Sequence, residues 1–474
     1  MVMFLDLPKV PLPGPRTMPV LGGKISLMRF LGDPVKNMLD LREEFGELVA
    51  LSKDDPGWVC AFGSEFNREI LSNPALYPNF IESPIRKPAD SAAATLDYNI
   101  LVINGDLHRS KRRVLMAAFT KARLQAYGEQ MVEIAGRQIG RWRVPGAFRA
   151  REAMTDISLE IAMRCLFGLG LEESRALCTD SARIMDLVLS PAAALFPFSL
   201  PGTPYREYMT CSERVDGAFR RLITARRAEP KEDDVLSAMI HATDDDGEHM
   251  TDRELVGQAA TLFNASHDTS AMTLTWACLM LATHPEIQRE AAAEVKEAIG
   301  DAPPTLEDIE RMPKLGWIIQ ETLRLFPATP NLFFRRSSAD SELGGRKLPA
   351  GATFILSPLV THRDPKVFPN PRRFDPKRWD GLRLGPYDYI PFGAGVRRCV
   401  GAGFAGQSTR LVLATFLQRA RIAAPRPQRI DYRAKGVVLG LERDFDLELL
   451  SPDQDIPAPE PIGGTVERLV EFRA

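Results

Sequence analysis

Cysteine is scarce in this chain, six in 474 residues, at 60, 165, 178, 211, 278 and 399. Only Cys399 sits in a dense local pattern, PFGAGVRRCVGAGFAG, among glycines and directly behind two arginines. A thiolate is a strong, soft ligand for a transition metal. Gly393, Gly395 and Gly401 lack the β-carbon that would hold a flat group away from the backbone. The guanidinium fork of Arg397 suits a carboxylate. The alternative is the common fate of a lone cysteine, an inert thiol in a glycine-rich turn.

Three further stretches could do chemistry. ELVGQAATLFNASHDTSAMTLTWACLMLATH predicts a long helix, apolar on nearly every face and therefore buried. Yet its middle, NASHDTS, carries six polar side chains in seven residues. There a carboxylate and a hydroxyl, Asp268 and Thr269, could pass protons through a bridging water. In the plainer account, Ser and Thr bond back to the preceding turn and His267 faces a crevice. WIIQETLRLF predicts a helix with Glu321 and Arg324 on one face, able to pair. In GDLHRSKRRVLMAAFT, His108 and Arg112 share a helical face and could clamp a carboxylate, although a solvated charge is the commoner case.

FGAGVRRCVG resembles the FGxGxRxCxG signature of the cytochrome P-450 family, the haem-thiolate monooxygenases. Other motifs follow the family's order. ETLR, 75 positions before the next cysteine at Glu321 to Arg324, is similar to its ExxR, and Arg378 in FDPKRW to the third member of its Glu-Arg-Arg network. The family role of that network is structural, locking the segment that carries the cysteine loop. ASHDTS, from Ala265, resembles the AGxDT(S/T) dioxygen motif, with Ser266 where the family usually has glycine. That serine adds a β-carbon and a hydroxyl that could bond the helix backbone or alter water access.

The resemblance covers about Pro13 to Leu450 and implies a mostly α fold with small β-sheets, the P-450 fold, around a buried haem b. Cys399 would be the axial thiolate ligand, framed by Phe392, Gly393 and Gly401. His108, Arg112, Arg335 and Arg397 would hold the propionates. Asp268 and Thr269 would be catalytic, delivering protons to bound dioxygen, in a helix that is locally distorted in this family. The substrate pocket would take Ala265, Thr269, Thr329, Asn331, Leu332, Val438 and Leu439, with the loop around Leu96 to Val102 closing it and residues 189–204 as a mobile lid. Their apolar character favours a small apolar organic substrate such as a terpenoid, steroid or fatty acyl compound, to be hydroxylated or epoxidised. No flavin or iron–sulfur motif is visible, so electrons would come from a ferredoxin or flavodoxin with its reductase. That donor would dock on a basic proximal face formed by Arg109, Lys111, Arg113 and Arg398. A peroxide-using enzyme of the same fold and a haem-based gas or redox sensor are the competing readings. The Asp268–Thr269 pair counts against the first, and the sequence pattern offers no second, output domain for the other.

The rest of the chain is consistent with one intermeshed body. Helical patterns dominate about 80–330 and 395–425. Strand signals fill about 45–65, 330–395 and 425–450, and a tail, 451–474, contains VERLVEFRA, which could form a short amphipathic helix. DPVKNMLDLREEFG predicts a helix closed by Gly46. The net charge of -2 gives no electrostatic case for nucleic acid. No apolar run is long enough for a membrane anchor, and the N-terminus lacks the pattern of a signal peptide. A monomer in the cytoplasm is the expectation.

Overall fold

The long apolar run folds as two helices rather than one, Asp252–Ser266 and Asp268–Thr283, meeting at His267. A capping box starts the first: Thr251 accepts from the Glu254 amide, and the Glu254 carboxylate accepts from the Thr251 amide. The second is buried on every side from Ser270 to Thr283. Helices Lys121–Ile139, Ala150–Phe167 and Ala402–Arg419 pack with it as a bundle. At its C-terminal half Trp276 stacks on Phe326, ring centroids 4.4 Å apart. The computed structural model describes residues 9–16, 23–53, 57–81, 83–188, 190–228, 234–244, 246–435 and 437–472.

The strand-rich parts attach to this bundle from one side. WVCA and TFIL, rich in residues that fit a buried pleat, form the centre of a four-stranded sheet. Its order is Leu48–Ala50, Trp58–Ala61, Thr353–Leu356, Arg335–Arg336, with only the central pair, Trp58 opposite Thr353, parallel. Arg335 thus sits on an edge strand at the seam between sheet and bundle. Helix Pro34–Phe45 begins at an Asp33 cap and ends at Gly46, whose φ of +93° favours glycine. A main hydrophobic cluster runs from Phe30 to Val470, joining helical and strand-rich parts. Among the described residues no helix is long and apolar enough to cross a membrane.

The tail departs from the expected amphipathic helix. It forms a short strand, Ile462–Gly463, parallel to Gln428–Arg429, and one 3₁₀ turn, Thr465–Arg468. Val466, Leu469 and Val470 are fully buried in the main cluster, so three apolar positions in a short span pin the chain before a helix can form. In the segment expected as a lid, Pro191–Leu195 is helical and Phe196, Phe198 and Leu200 are about 60% exposed (62%, 61%, 61%), while Leu189 lies outside the described residues.

Candidate active site

The cysteine loop is closed by the Cys399 amide, which donates to the Phe392 carbonyl at 2.8 Å. Gly393 and Gly395 have φ of +67° and +64°, a region that other residues rarely adopt. At Gly395 a β-carbon would also lie 2.6 Å from the Leu71 carbonyl oxygen. Gly401 has ordinary φ (-87°), and its amide bonds to the cysteine. Of the six cysteines only Cys399 is exposed. Burial pushes Cys60, Cys165 and Cys278 up to about 12, which makes them inert. The protein atoms around Cys399 raise its thiol too, but the Gly401 amide, Arg112 and Arg398 pull toward the thiolate.

His108, Arg112, Arg335 and Arg397 converge from three separate parts of the chain. The acceptors are all uncharged: Arg397 donates to the Ile100 and Ile103 carbonyls (2.8 and 2.7 Å) and to Asn104 Oδ1 (2.6 Å). Arg335 donates to the Phe333 and Phe334 carbonyls, and Arg112 to that of Arg398. Burial, and then Arg397, lower Arg335 to about 9; burial and Arg112 lower Arg397 to about 10. His108 falls to about 4, through burial and then Arg397, Arg112 and Arg335. Among the described residues no carboxylate pairs with any of the four. Such a cluster of buried cations calls for an anionic ligand, and two carboxylates of a planar macrocycle fit it.

At the helix break, the Thr269 hydroxyl donates to the Ala265 carbonyl at 3.0 Å. Asp268 is exposed in the first turn of the second helix, where the helix dipole favours a carboxylate. Ser266 Oγ and His267 Nδ1 both bond the Phe263 carbonyl, at 3.0 and 3.1 Å. A carbonyl only accepts, so Nδ1 carries the proton. Burial lowers the His267 pKa, partly offset by Asp268, which favours the neutral ring. Expected polar satisfaction along the backbone is therefore what Ser266 does.

Glu321, Arg324 and Arg378 meet in one buried cluster. Arg324 grips Glu321 with two bonds of 2.8 and 2.9 Å, both side chains fully buried. Arg378 adds a third at 2.9 Å, and Trp379 and the Asp375 amide complete the carboxylate's shell at 3.0 Å each. Arg324 then reaches the carbonyls of His362, Pro371 and Arg373, stitching its helix to the segment ahead of the cysteine loop.

Of the expected pocket residues, Ala265 is exposed, and Thr269, Thr329, Asn331, Leu332 and Val438 are partly buried. Leu332 lies beside Gly393. Leu439 is fully buried, its backbone tied to Trp276 and Ala328, so Val438 offers the surface there. The pocket face of the first long helix is less apolar than expected. It is covered at Gly257, where a β-carbon would meet the Tyr98 carbonyl at 2.1 Å, is half-buried at Thr261, whose hydroxyl bonds the Gly257 carbonyl, and is exposed at Asn264 and Ala265. Asn264 was not visible as a site residue: its heptad position alone reads as one more polar residue in a helix. The basic face is also smaller than expected. Lys111 is buried and pairs with Glu254 at 3.0 Å and Asp244 at 3.8 Å, and Arg109 pairs with Asp106. Lys111 turns inward because its helix position, three from His108, faces the core.

The fold, the thiol loop, the buried cation cluster and the broken helix together define a haem-thiolate protein. The family model for cytochrome P450 matches residues 12–444, and the chain belongs to that family of monooxygenases, which use a haem-thiolate cofactor. It is 29% identical over 422 residues to the cyclooctat-9-en-7-ol 5-monooxygenase of Streptomyces melanosporofaciens, covering 86% of this chain and 88% of that protein. It is 30% identical over 402 residues to the cyclooctatin synthase of the same organism, covering 81% and 86%. Among solved structures, retinoic acid bound cyanobacterial CYP120A1 superposes with a TM-score of 0.81 at 23% identity, covering 94% of this chain and all of that one (100%). That likeness concerns the fold.

Proposed function

We propose that the chain binds haem b through the Cys399 thiolate and inserts one atom of dioxygen into a largely apolar organic molecule. The observation that carries this reading is the convergence of one exposed thiol with four cationic or protonatable groups that pair with no carboxylate among the described residues. When bound, haem supplies dioxygen binding and electron transfer at iron. The residues do the rest. Cys399 ligates, with Phe392, Gly393 and Gly401 shaping its loop. His108, Arg112, Arg335 and Arg397 take the propionates. Asp268 exchanges protons with water, and Thr269, already bonded to Ala265, passes them on toward the oxygen site. Overall, dioxygen, two electrons and two protons convert a C–H or C=C group to its oxygenated product, with one water released.

The exposed Asn264, next to Ala265, suggests a substrate of apolar body that already carries one hydroxyl or carbonyl for Asn264 to bond. One relative's name, cyclooctat-9-en-7-ol 5-monooxygenase, describes an alcohol as substrate, which supports that class. Electrons come from an external ferredoxin or flavodoxin at the face carrying Arg109, Arg113 and Arg398. The decisive experiment is the absorption spectrum of the reduced protein under carbon monoxide. A strongly red-shifted Soret band is expected, lost in Cys399→Ala; absence of any haem band would sink the reading. In Thr269→Ala, product per electron pair should fall and peroxide release should rise. A peroxide-using enzyme or a sensor would show no such change.

A further inference from the structure

We propose that Asn104 and Gln258 are positioning residues that aim the Arg397 guanidinium at a haem propionate, by holding the loop 99–104 against which it lies. Arg397 has five N–H groups, and three of them are taken. Nη1 donates to the Ile100 carbonyl at 2.8 Å, and Nη2 to the Ile103 carbonyl at 2.7 Å and to Asn104 Oδ1 at 2.6 Å. All three acceptors are neutral, so they fix the direction of the guanidinium and leave its charge uncompensated. Nε and one hydrogen of Nη1 have no partner among the described residues, and these two are left for an anion.

Asn104 stands at the N-cap of helix Gly105–Ala117, where an asparagine ordinarily accepts from an amide of its own first turn. It makes no such bond. Its Oδ1 accepts instead from Arg397 and from the Asn79 amide at 2.9 Å, and its Nδ2 donates to the Asn79 and Val102 carbonyls at 3.1 and 3.2 Å. Both lone pairs and both hydrogens of the amide are therefore used, although the residue is exposed. Asn79 in turn pairs with Arg335 through an isolated backbone bridge, and its Nδ2 donates to the Leu101 carbonyl at 3.0 Å. One neutral amide thus sets the places of two arginines, 335 and 397.

Gln258 holds the loop from the long helix. Its Oε1 accepts from the Ile100 amide at 3.0 Å, and Ile100 carries the restraint on through the carbonyl that Arg397 grips. The side chain is 1% exposed, and its Nε2 has no partner among the described residues. A buried amide with one end unpaired costs free energy. An apolar side chain would avoid that cost and lose the bond to Ile100. The aim at a propionate rests on the haem reading above; the grip of the loop on Arg397 does not.

The iron midpoint potential of the haem-loaded protein, together with the rate of haem release to excess apomyoglobin, tests this. Arg397→Ala leaves a propionate uncompensated, so the midpoint should fall and haem should leave about tenfold faster, as loss of one hydrogen bond between charged groups implies. Asn104→Ala and Gln258→Leu should each move both readouts the same way. Neither should move them further when Arg397→Ala is already present. Gln258→Leu, close in volume and apolar in a buried place, keeps this cycle available if Asn104→Ala does not fold. Additive effects in the double variants would overturn the proposal, because the two amides would then act on the site without Arg397. Wild-type values in either single variant would overturn the role of that residue. Wild-type protein that takes up no haem would sink the haem reading and the propionate target with it. A red-shifted carbon monoxide band in wild type with additive double variants would sink the positioning role alone.

Discussion

His108 is the one member of the cation pocket that can shed its charge, and it does, with a pKa of about 4 against the usual 6.5. The unfolded chain binds a proton below 6.5 that the folded chain refuses until about 4. Stability is therefore full above the unfolded value and falls as pH drops through this window, by about 3 kcal/mol at most. Thermal midpoints of the haem-free protein measured between pH 7 and 4 should show that acid limb, and His108→Gln should flatten it. An equally steep limb in the variant would assign the titration elsewhere. The spacing of His108 and Arg112 was legible because four residues make one helical turn. That Arg335 and Arg397 join them was legible only through the resemblance. Lys111 shows the opposite case: it reads as part of a surface charge run, and its buried pairing with Glu254 depends on a helix far away in sequence.

At the scale of the element, the Pro313–Leu325 helix acts through one carboxylate. Glu321 receives two arginines, an indole and a backbone amide, and is fully buried. Glu321→Gln leaves Arg324 and Arg378 buried beside a neutral group, which should cost about 3–5 kcal/mol. Urea denaturation measures that loss. The same variant should lose the red-shifted carbon monoxide band, because the segment from His362 to Arg373 that Arg324 holds leads into the cysteine loop. A variant with wild-type stability would mean that water enters and solvates the arginines. The helix itself was plain from its apolar period and its ExxR pair. The break at His267 was not plain from the residues, whose pattern is that of one continuous buried helix.

For the molecule as a whole, the tail beyond the family match behaves as a strap. Arg363, buried behind the network, donates to the carbonyls of Leu325 and Leu469, and Glu471 pairs with Arg372 at 2.5 Å. Removing residues 456–474 would take away the buried side chains of Ile456, Ile462, Val466, Leu469 and Val470 and uncover the core surface they pack against. At about 1.5–3 kcal/mol for each large apolar side chain, the loss should exceed roughly 5 kcal/mol. Scanning calorimetry of the haem-loaded truncated protein should show a clear fall in Tm. An unchanged Tm would make the strap an ornament of the surface.

Local spacing determined a good deal by itself: the cysteine loop with its glycines, the ExxR pair, the acid–alcohol pair, the helical middle and the strands at 48–50, 58–61 and 438–441. Each depends on neighbours within a turn or two, so the chain carries the information locally. Only the tertiary structure decided which cations meet with no anion between them, that Lys111 is an internal partner, that Asn264 faces open space and that the tail is core. Spacing says which face a side chain takes; what lies opposite that face comes from residues a hundred or more positions away. The balance of burial and hydrogen bonding there decides the outcome.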